Sequence, residues 1–244
     1  MTNSEINVEF DVLYNNISSG AAPNLNEYEK SLFLTRAQRE LVQMYYSGKN
    51  GAYNSFESDE EVRRYLDTLI SVQNIQPIYI ERYGIFEWYK INKPNDLLYV
   101  VRETAQNASE GCLNGSLMQV VPITHEDLNR VLNDPFKRPN DRKVVRYDIS
   151  DGNNVYFNLL STSNLSQYTI TYLRKPQPII LVDLWVYGGS STNPEYTIDG
   201  IAQATQSDAP DSLQHKIISR AVELAKASYV GDLNTTFAIN ARDL

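Results

Sequence analysis

The chain has 244 residues, a formal net charge of −8, one cysteine and two histidines. Cys112 alone cannot form an internal disulfide, and with only His125 and His215 it cannot build a structural zinc site. Lysine and arginine are too few for a dedicated nucleic-acid binder, whose affinity comes from neutralising phosphates. No apolar run approaches the ~20 residues of a membrane span, and residues 1–5 lack the features of a signal peptide. We therefore expect a soluble protein with no membrane partner.

Three helices are predicted at the start of the chain. The first, over 4–17, is indicated by apolar residues at helical spacing: Ile6, Phe10, Leu13 and Ile17. The second is predicted to begin at a capping box formed by Asn24 and Glu27, and to close near Gly48. The third is predicted to begin with the acidic stretch 58–61 and to run through Ile70.

The middle of the chain has the composition of a β-sheet. Runs rich in β-branched and aromatic residues predict strands over 76–80, 96–102, 116–121, 143–149, 154–160 and 168–173. Residues 151–154, with the sequence Asp-Gly-Asn-Asn, predict a hairpin turn between two of these strands. One short helix is expected in this region, capped by Thr124 and ended by Pro135.

The last third is predicted to contain a long loop, a helix and an arm. Residues 187–209 are polar and rich in glycine, serine and threonine, with at most one short strand at 196–198. Pro210 predicts the start of a strong helix over 210–231, and residues 232–244 are expected to form an extended arm. The fold class is therefore predicted to be α+β. Helices of 1–72 and 210–231 would form a core, with a β-rich insertion domain over 73–186.

No catalytic set is visible in the sequence. Phosphate-binding glycine loops and nucleophile elbows are absent. A Cys112–His125 nucleophile pair is conceivable, but nothing around either residue supports it, and His125 is more simply a polar residue in the first turn of its helix. The acids Glu57, Asp59, Glu60 and Glu61 are consecutive or nearly so, which favours a solvated helix start over a metal site. We expect no enzyme activity, cofactor or metal.

The one basic cluster comprises Lys137, Arg138, Arg142, Lys143 and Arg146. Because the chain as a whole is acidic, we favour salt bridges to another protein, or a solvated turn with cross-strand pairing, over binding to DNA phosphates. Seventeen tyrosines are compatible with extensive protein contacts, since a tyrosine joins an apolar ring to one polar tip.

Four blocks of sequence resemble the connector proteins of crAss-like phages that infect Bacteroidetes. They follow one another along most of the chain: Phe10–Ile17 with Ala22–Gln38, Val121–Arg130 with Asn133–Pro139, Tyr172–Asp183, and Ile198–Ala202 with Leu213–Lys226. The loop Gly188–Thr192 is the main departure from the pattern. The resemblance implies a phage adaptor-like fold and a virion structural protein without catalytic or cofactor residues.

The resemblance also implies an assembly. It points to a homo-oligomeric ring, a dodecamer, in the head-to-tail connector or neck below the portal, assembled in the cytoplasm of the host bacterium. Partners would be the portal protein and neighbouring ring or tail proteins, with genomic DNA passing through the channel without sequence-specific binding. A tail or baseplate ring of the same phage type is an alternative, and so is a non-virion binding module or an unrecognised hydrolase.

We expect contacts between subunits at the basic cluster, the long loop and the C-terminal arm. The candidate contact residues are Lys137, Arg138, Arg142, Tyr187, Tyr196, Asp232, Phe237 and Leu244. A cyclic head-to-tail assembly requires two different complementary faces on each subunit, and these three regions are the predicted sources of them.

Overall fold

The computed structural model describes residues 1–17, 24–48, 56, 59–108, 114–151 and 154–230. The chain divides into two compact units. The helical unit comprises Met1–Leu69 and Pro176–Leu244, and the sheet unit comprises Ile70–Lys175. This arrangement confirms the α+β class. None of the helices in the described ranges is long and apolar enough to cross a bilayer.

The helical unit contains α1 (Asn3–Ile17), α2 (Glu27–Ser47), α3 (Glu60–Leu66) and α5 (Asp211–Val230). The last helix packs against both α1 and α2, so helices from the two ends of the chain share one core. Of the apolar residues predicted for α1, Ile6 and Phe10 are buried there, Leu13 is partly buried, and the side chain of Ile17 lies outside the described part. Phe10, Leu34 and Ala221 have no exposed surface.

The cap of α2 lies two residues later than predicted. Asn26 Oδ1 accepts a hydrogen bond from the Glu29 backbone N–H at 2.8 Å, and the Glu29 carboxylate accepts one from the Asn26 N–H at 2.9 Å. The predicted pair, Asn24 and Glu27, has the same spacing but does not form the box. Glu27 is instead hydrogen bonded to the Tyr187 hydroxyl, a partner 160 residues away. The unused Glu27 of the predicted pair is thus engaged by a distant contact, while the second motif acts as the cap.

The third helix is shorter than predicted. Asp59 caps it by accepting the Glu61 N–H at 2.9 Å, and it ends at Leu66 with a 3-10 turn over Asp67–Leu69. Ile70, predicted as its last apolar residue, instead begins a β-strand. The reason is pairing with the strand that contains Leu173, which provides ladder hydrogen bonds to this β-branched residue. Ser58 lies outside the described residues.

Segment 176–210 packs against α2, although the sequence placed its first part, up to 186, in the β-rich region. Thr35 Oγ1 accepts the Ile179 N–H at 3.1 Å, and Ser31 Oγ accepts the Leu181 N–H at 3.1 Å. The segment forms a small hydrophobic core with Tyr28 of α2. The residues of the segment in this core are Ile180, Leu184, Trp185, Ile198, Ile201 and Ala202.

Residues 187–209 are mostly without regular structure, but the segment contains one short ladder and isolated bridges. Strands β9 (Gly189–Ser190) and β10 (Asn193–Pro194) pair with each other, and the strand predicted over 196–198 is reduced to a single bridge between Ile198 and Ile201. Gly189 has φ +87°, and an added Cβ would lie 2.4 Å from the Asn193 carbonyl oxygen. Glycine is therefore required at this turn.

The sheet unit is built from eight strands: β1 (Ile70–Ile75), β2 (Ile78–Tyr83), β3 (Phe86–Asn92), β4 (Leu97–Asn107), β5 (Leu117–Pro122), β6 (Lys143–Asp151), β7 (Asn154–Ser161) and β8 (Leu165–Arg174). Strands β1 and β3 were not predicted. In the ladder the order is β1-β8-β4-β5-β6-β7-β3-β2. All neighbours are antiparallel except β5 and β6, whose parallel pairing requires a crossover connection.

The crossover contains the short helix α4 (Leu128–Asn133), which begins later than the sequence predicted. Residues 125–127 form a turn, in which the Thr124 hydroxyl accepts the Asp127 N–H at 3.4 Å. Thr124 therefore stabilises the turn before the helix instead of capping the helix. The predicted hairpin links β6 to β7, because Asp151 pairs with Asn154, and residues 152–153 between them lie outside the described part.

The sheet is curled around an apolar interior. Strands β1 and β2 form its two edges, yet only Gln76 and Pro77 separate them in sequence, a span of at most ~10 Å. The two edges must therefore approach each other at this corner. The interior is filled by alternate residues of the strands, among them Ile91, Met118, Phe157 and Ile170. Helix α4 packs on the opposite face over Val145, Tyr147 and Leu160.

Candidate interaction surfaces

The described residues contain no group of three histidine, cysteine, aspartate or glutamate side chains that could hold a metal. His125 has a local structural contact, with Nε2 donating to the Asp148 carbonyl oxygen at 2.6 Å and the ring edge-on to Tyr147. Cys112 lies outside the described residues, so the Cys112–His125 pair stays an untested alternative.

The acidic stretch before α3 acts as a helix start, as the sequence favoured. Asp59 is the cap, and Glu60 forms an ion pair with Arg64 one turn later at 2.8 Å. Glu61 accepts a hydrogen bond from the Tyr65 hydroxyl. Glu57 lies outside the described residues.

The interior of the curled sheet holds a buried ion pair that sequence reasoning missed. Arg146 was assigned to the basic cluster, but its guanidinium pairs with the Glu103 carboxylate and lies 4.3 Å from the centre of the Phe157 ring. Both charged residues are less than 10% exposed. The Tyr168 hydroxyl donates to the same carboxylate. Arg146 lies two residues after the buried Val144, so strand alternation could have placed it inside.

The electrostatics of this interior favour a neutral tyrosine. Burial raises the pKa of Tyr168 well above its usual value, and the negative charge of Glu103 raises it further. The neutral phenol then remains available to donate to Glu103 across the physiological pH range. Three groups on three strands therefore fix one another.

The remaining basic residues surround an exposed loop between α4 and β6. We call Phe136, Lys137, Arg138 and Arg142 the basic tip. The Asp134 side chain accepts the Phe136 N–H at 2.9 Å, and its carbonyl accepts the Lys137 and Arg138 N–H groups at 3.1 and 3.0 Å. Asn140 Oδ1 accepts the Arg142 N–H at 2.9 Å. The backbone of the tip is thus fixed by its own turns.

Phe136 is the most exposed large apolar residue described, at 91%. It stands beside three exposed cationic side chains, Lys137, Arg138 and Arg142. Among the described residues, the ion pair of Lys137 is with Asp134, at the long distance of 3.8 Å. An exposed aromatic ring next to arginines is the composition typical of interface centres. The sequence contained the signal, because Phe136 lies between proline and lysine in a turn with no apolar periodicity.

Tyr187 is engaged within its own chain. Its hydroxyl donates to the Glu27 carboxylate and accepts the Glu27 N–H at 3.3 Å. Burial, followed by the hydrogen bond to Glu27, raises the pKa of the phenol, and the same bond lowers the pKa of Glu27. The half-buried tyrosine connects segment 176–210 to the start of α2. Less of the Tyr187 side chain is therefore accessible to a partner protein.

Tyr196 stands at the surface nearby. Its ring contacts Tyr28 of α2 with a centroid distance of 5.1 Å, and the residue is 37% exposed. Tyr196 therefore packs against its own chain on one side and is accessible to solvent on the other. Asp232, Phe237 and Leu244 lie outside the described residues, so their predicted roles in contacts stay predictions.

Two further apolar surfaces were not predicted. On α1, Val8 and Val12 are 61% and 52% exposed, one helical turn apart. The second surface is β2 with the turn that follows it, where Ile78, Tyr79, Ile80 and Ile85 are each about half exposed. Exposed apolar patches of this kind often mark interaction sites.

Comparison with known proteins now defines the class. The family model described as phage tail ring protein 3/4 matches residues 1–236. The match covers nearly the whole chain, and the chain therefore belongs to this family. It confirms the resemblance to crAss-like phage ring proteins that the sequence blocks indicated.

Two curated relatives come from Bacteroides phage crAss001. One is named "Ring protein 4/5" and is 34% identical over 248 residues, covering 99% of each chain. The other is named "Ring protein 3" and is 36% identical over 234 residues, covering 92% of this chain and 95% of the relative. Likeness of this extent includes both the helical and the sheet units.

Proposed function

We propose that this protein is a structural component of a tailed-phage virion that assembles into a ring. The observation that carries the proposal is the family match over residues 1–236, together with two relatives whose names describe ring proteins. The described residues support a role in assembly, because they offer exposed apolar and cationic surfaces. The names of the two relatives, which describe ring proteins, also support the proposal of a non-enzymatic role.

The proposed place is the neck, below the portal, where a ring of twelve copies would link the capsid to the tail. Portal and neighbouring ring or tail proteins would then be its partners. The net charge of −8 suits a protein that surrounds a DNA channel, because an acidic surface repels phosphate groups and does not bind the passing genome. We propose assembly in the host cytoplasm before incorporation into the particle.

The ring would form by head-to-tail contacts, which join two different surfaces of adjacent copies. The basic tip is one candidate surface, since Phe136 and the arginines could dock on an acidic neighbour. Tyr196 and the arm over 232–244 are further candidates. An apolar centre with a charged rim is the usual composition of such contacts.

Electron microscopy of the purified chain, with sedimentation analysis, tests the proposal. We expect closed rings, or a concentration-dependent equilibrium between monomers and rings, and we expect the chain in the neck of purified particles. A protein that stays monomeric at all concentrations and is missing from particles would contradict the proposal. Turnover of a substrate by the monomer would favour the hydrolase alternative.

A tail or baseplate ring is the second candidate, and the description of the family as phage tail ring protein 3/4 favours it. Antibody labelling of intact particles separates the two positions. Label between head and tail supports the neck, whereas label along or at the end of the tail supports the second candidate. Salt-sensitive DNA binding by the monomer would instead indicate a binding module outside the virion.

A further inference from the structure

The edge strand β2 is unusually open. Its only ladder partner among the described strands is β3, so beyond the corner at which β1 ends, the other side of its backbone forms no ladder with a described strand. Ile78, Tyr79 and Ile80 are 53%, 53% and 46% exposed, and Ile85 in the following turn is 54% exposed. Open edges that also expose apolar side chains readily accept another strand, and stable proteins normally cover or charge them.

Part of this edge is protected against indiscriminate pairing. The ladder with β3 skips Ile80, which marks a β-bulge, and the strand continues with Glu81 and Arg82. Bulges and charges on an edge oppose addition of long flat strands. They leave a short apolar stretch over 78–80, which fits a short peptide strand better than the edge of a second sheet.

The chain itself contains a matching segment. Fourteen residues, 231–244, follow the described end of α5 at Val230 and lie outside the described part. Their sequence alternates with period two: Leu233, Thr235, Phe237, Ile239 and Ala241 would share one face, as in a half-buried strand. An extended stretch of this length spans up to ~45 Å, enough to reach another molecule.

We propose that residues 233–241 of one copy add as a strand to the free edge of β2 in a neighbouring copy. The inference rests on the proposed ring and names one of its contacts. Main-chain hydrogen bonds would provide affinity, and Phe237 and Ile239 against Ile78 and Ile80 would set the register. Because the donor and acceptor surfaces differ, the contact is head-to-tail and can be repeated around a ring.

Disulfide trapping between copies tests the inference. Two full-length variants are prepared in a Cys112→Ala background, one with Ile80→Cys and one with Phe237→Cys, and are mixed, assembled and mildly oxidised. We expect a covalent dimer joining the two variants, in up to about half of the chains when the two are mixed one to one, because each Ile80→Cys edge meets a Phe237→Cys copy in half of the contacts. Positions 78, 235 and 239 are included in the same scan, because a disulfide requires Cβ atoms ~3.5–4.5 Å apart and the register is unknown.

The matched control replaces Ile80→Cys by Val72→Cys, which is 63% exposed on the opposite edge strand β1. If rings form without any cross-link in the scan, or if Val72→Cys forms as much cross-linked dimer as Ile80→Cys, the inference is overturned and the proposed ring remains. Cross-links that form only when both cysteines are in one chain also overturn it. If neither rings nor cross-links form, the ring and the inference both fail.

A second pair of variants separates binding from folding. Ile80→Lys introduces a charge on the exposed edge and is expected to raise the concentration needed for ring assembly at least tenfold. Val72→Lys is expected to change it less than twofold. Both should keep the parent's circular dichroism spectrum and melting temperature. Equal effects of the two substitutions on assembly would contradict the proposed use of the β2 edge.

Discussion

At the scale of single residues, burial assigns roles that composition could not. Arg146 and Arg142 are four positions apart in one basic stretch. Arg146 points into the sheet interior to meet Glu103, whereas Arg142 is exposed at the basic tip. A charge that is buried with its partner is held tightly, because removing either member leaves the other buried without its main charged partner.

Arg146→Ala should therefore be strongly destabilising. We expect a loss of about 3–5 kcal/mol in the free energy of unfolding, since Glu103 would remain buried without its partner. Urea titration at neutral pH measures this. Arg142→Ala is the control and should lie within about 0.5 kcal/mol of the parent. Similar losses for both variants would contradict the interior position of Arg146.

The raised pKa of Tyr168 predicts a dependence of stability on alkaline pH. Below the ordinary tyrosine pKa of about 10, the phenol is neutral in both folded and unfolded chains, and its contribution is fully present. As pH rises above that value, the unfolded chain loses the proton first, so stability falls. Tyr168→Phe should make this fall shallower in unfolding experiments between neutral and strongly alkaline pH. An unchanged slope would contradict the prediction.

At the scale of elements, local signals and long-range contacts compete. Asn24 with Glu27 and Asn26 with Glu29 both fit a capping box, but only the second pair forms one, and Glu27 is hydrogen bonded to Tyr187 instead. Ile70 continues the apolar pattern of α3, but pairing with β8 draws it into a strand. Propensity is a weak prior where a tertiary partner is present.

The cap of α2 is directly testable. Asn26→Ala should cost about 1 kcal/mol in the free energy of unfolding, because the Glu29 N–H loses its acceptor. Asn24→Ala, which removes the same side chain two residues earlier, should be neutral within about 0.5 kcal/mol. Chemical denaturation of the two variants side by side provides the measurement. A larger loss from Asn24→Ala would restore the capping box predicted from the sequence.

At the scale of the whole molecule, the exposed groups matter more than the buried ones. A helical core and a curled sheet account for the stability of the two units. The proposed oligomeric ring needs, in addition, surfaces that remain exposed to solvent in the monomer. Phe136 fits this role, because it is 91% exposed and lies beside three cations.

Phe136→Ala should affect assembly and not folding. Because the aromatic ring of Phe136 is already exposed to water in the folded monomer, we expect the free energy of unfolding to change by less than about 0.5 kcal/mol. Burying such a side chain at an interface contributes about 1.5–3 kcal/mol, so ring assembly should weaken tenfold or more. Sedimentation over a concentration series measures it. Leu117→Ala, another exposed apolar position of the sheet unit, is the control. Equal weakening by both variants would contradict a specific role for the basic tip.

The sequence by itself determined most helices and six of the strand segments, because amphipathic period and β-branched runs are local properties that need no partner. It also contained the ordered blocks that identified the family. Only the tertiary structure decided the order of the strands, the turn of Ile70 from helix to strand, the choice of Asn26 as the cap and the burial of Arg146 beside Glu103. Each of these depends on a partner far away along the chain, and the free energy of such a contact cannot be read from a local pattern.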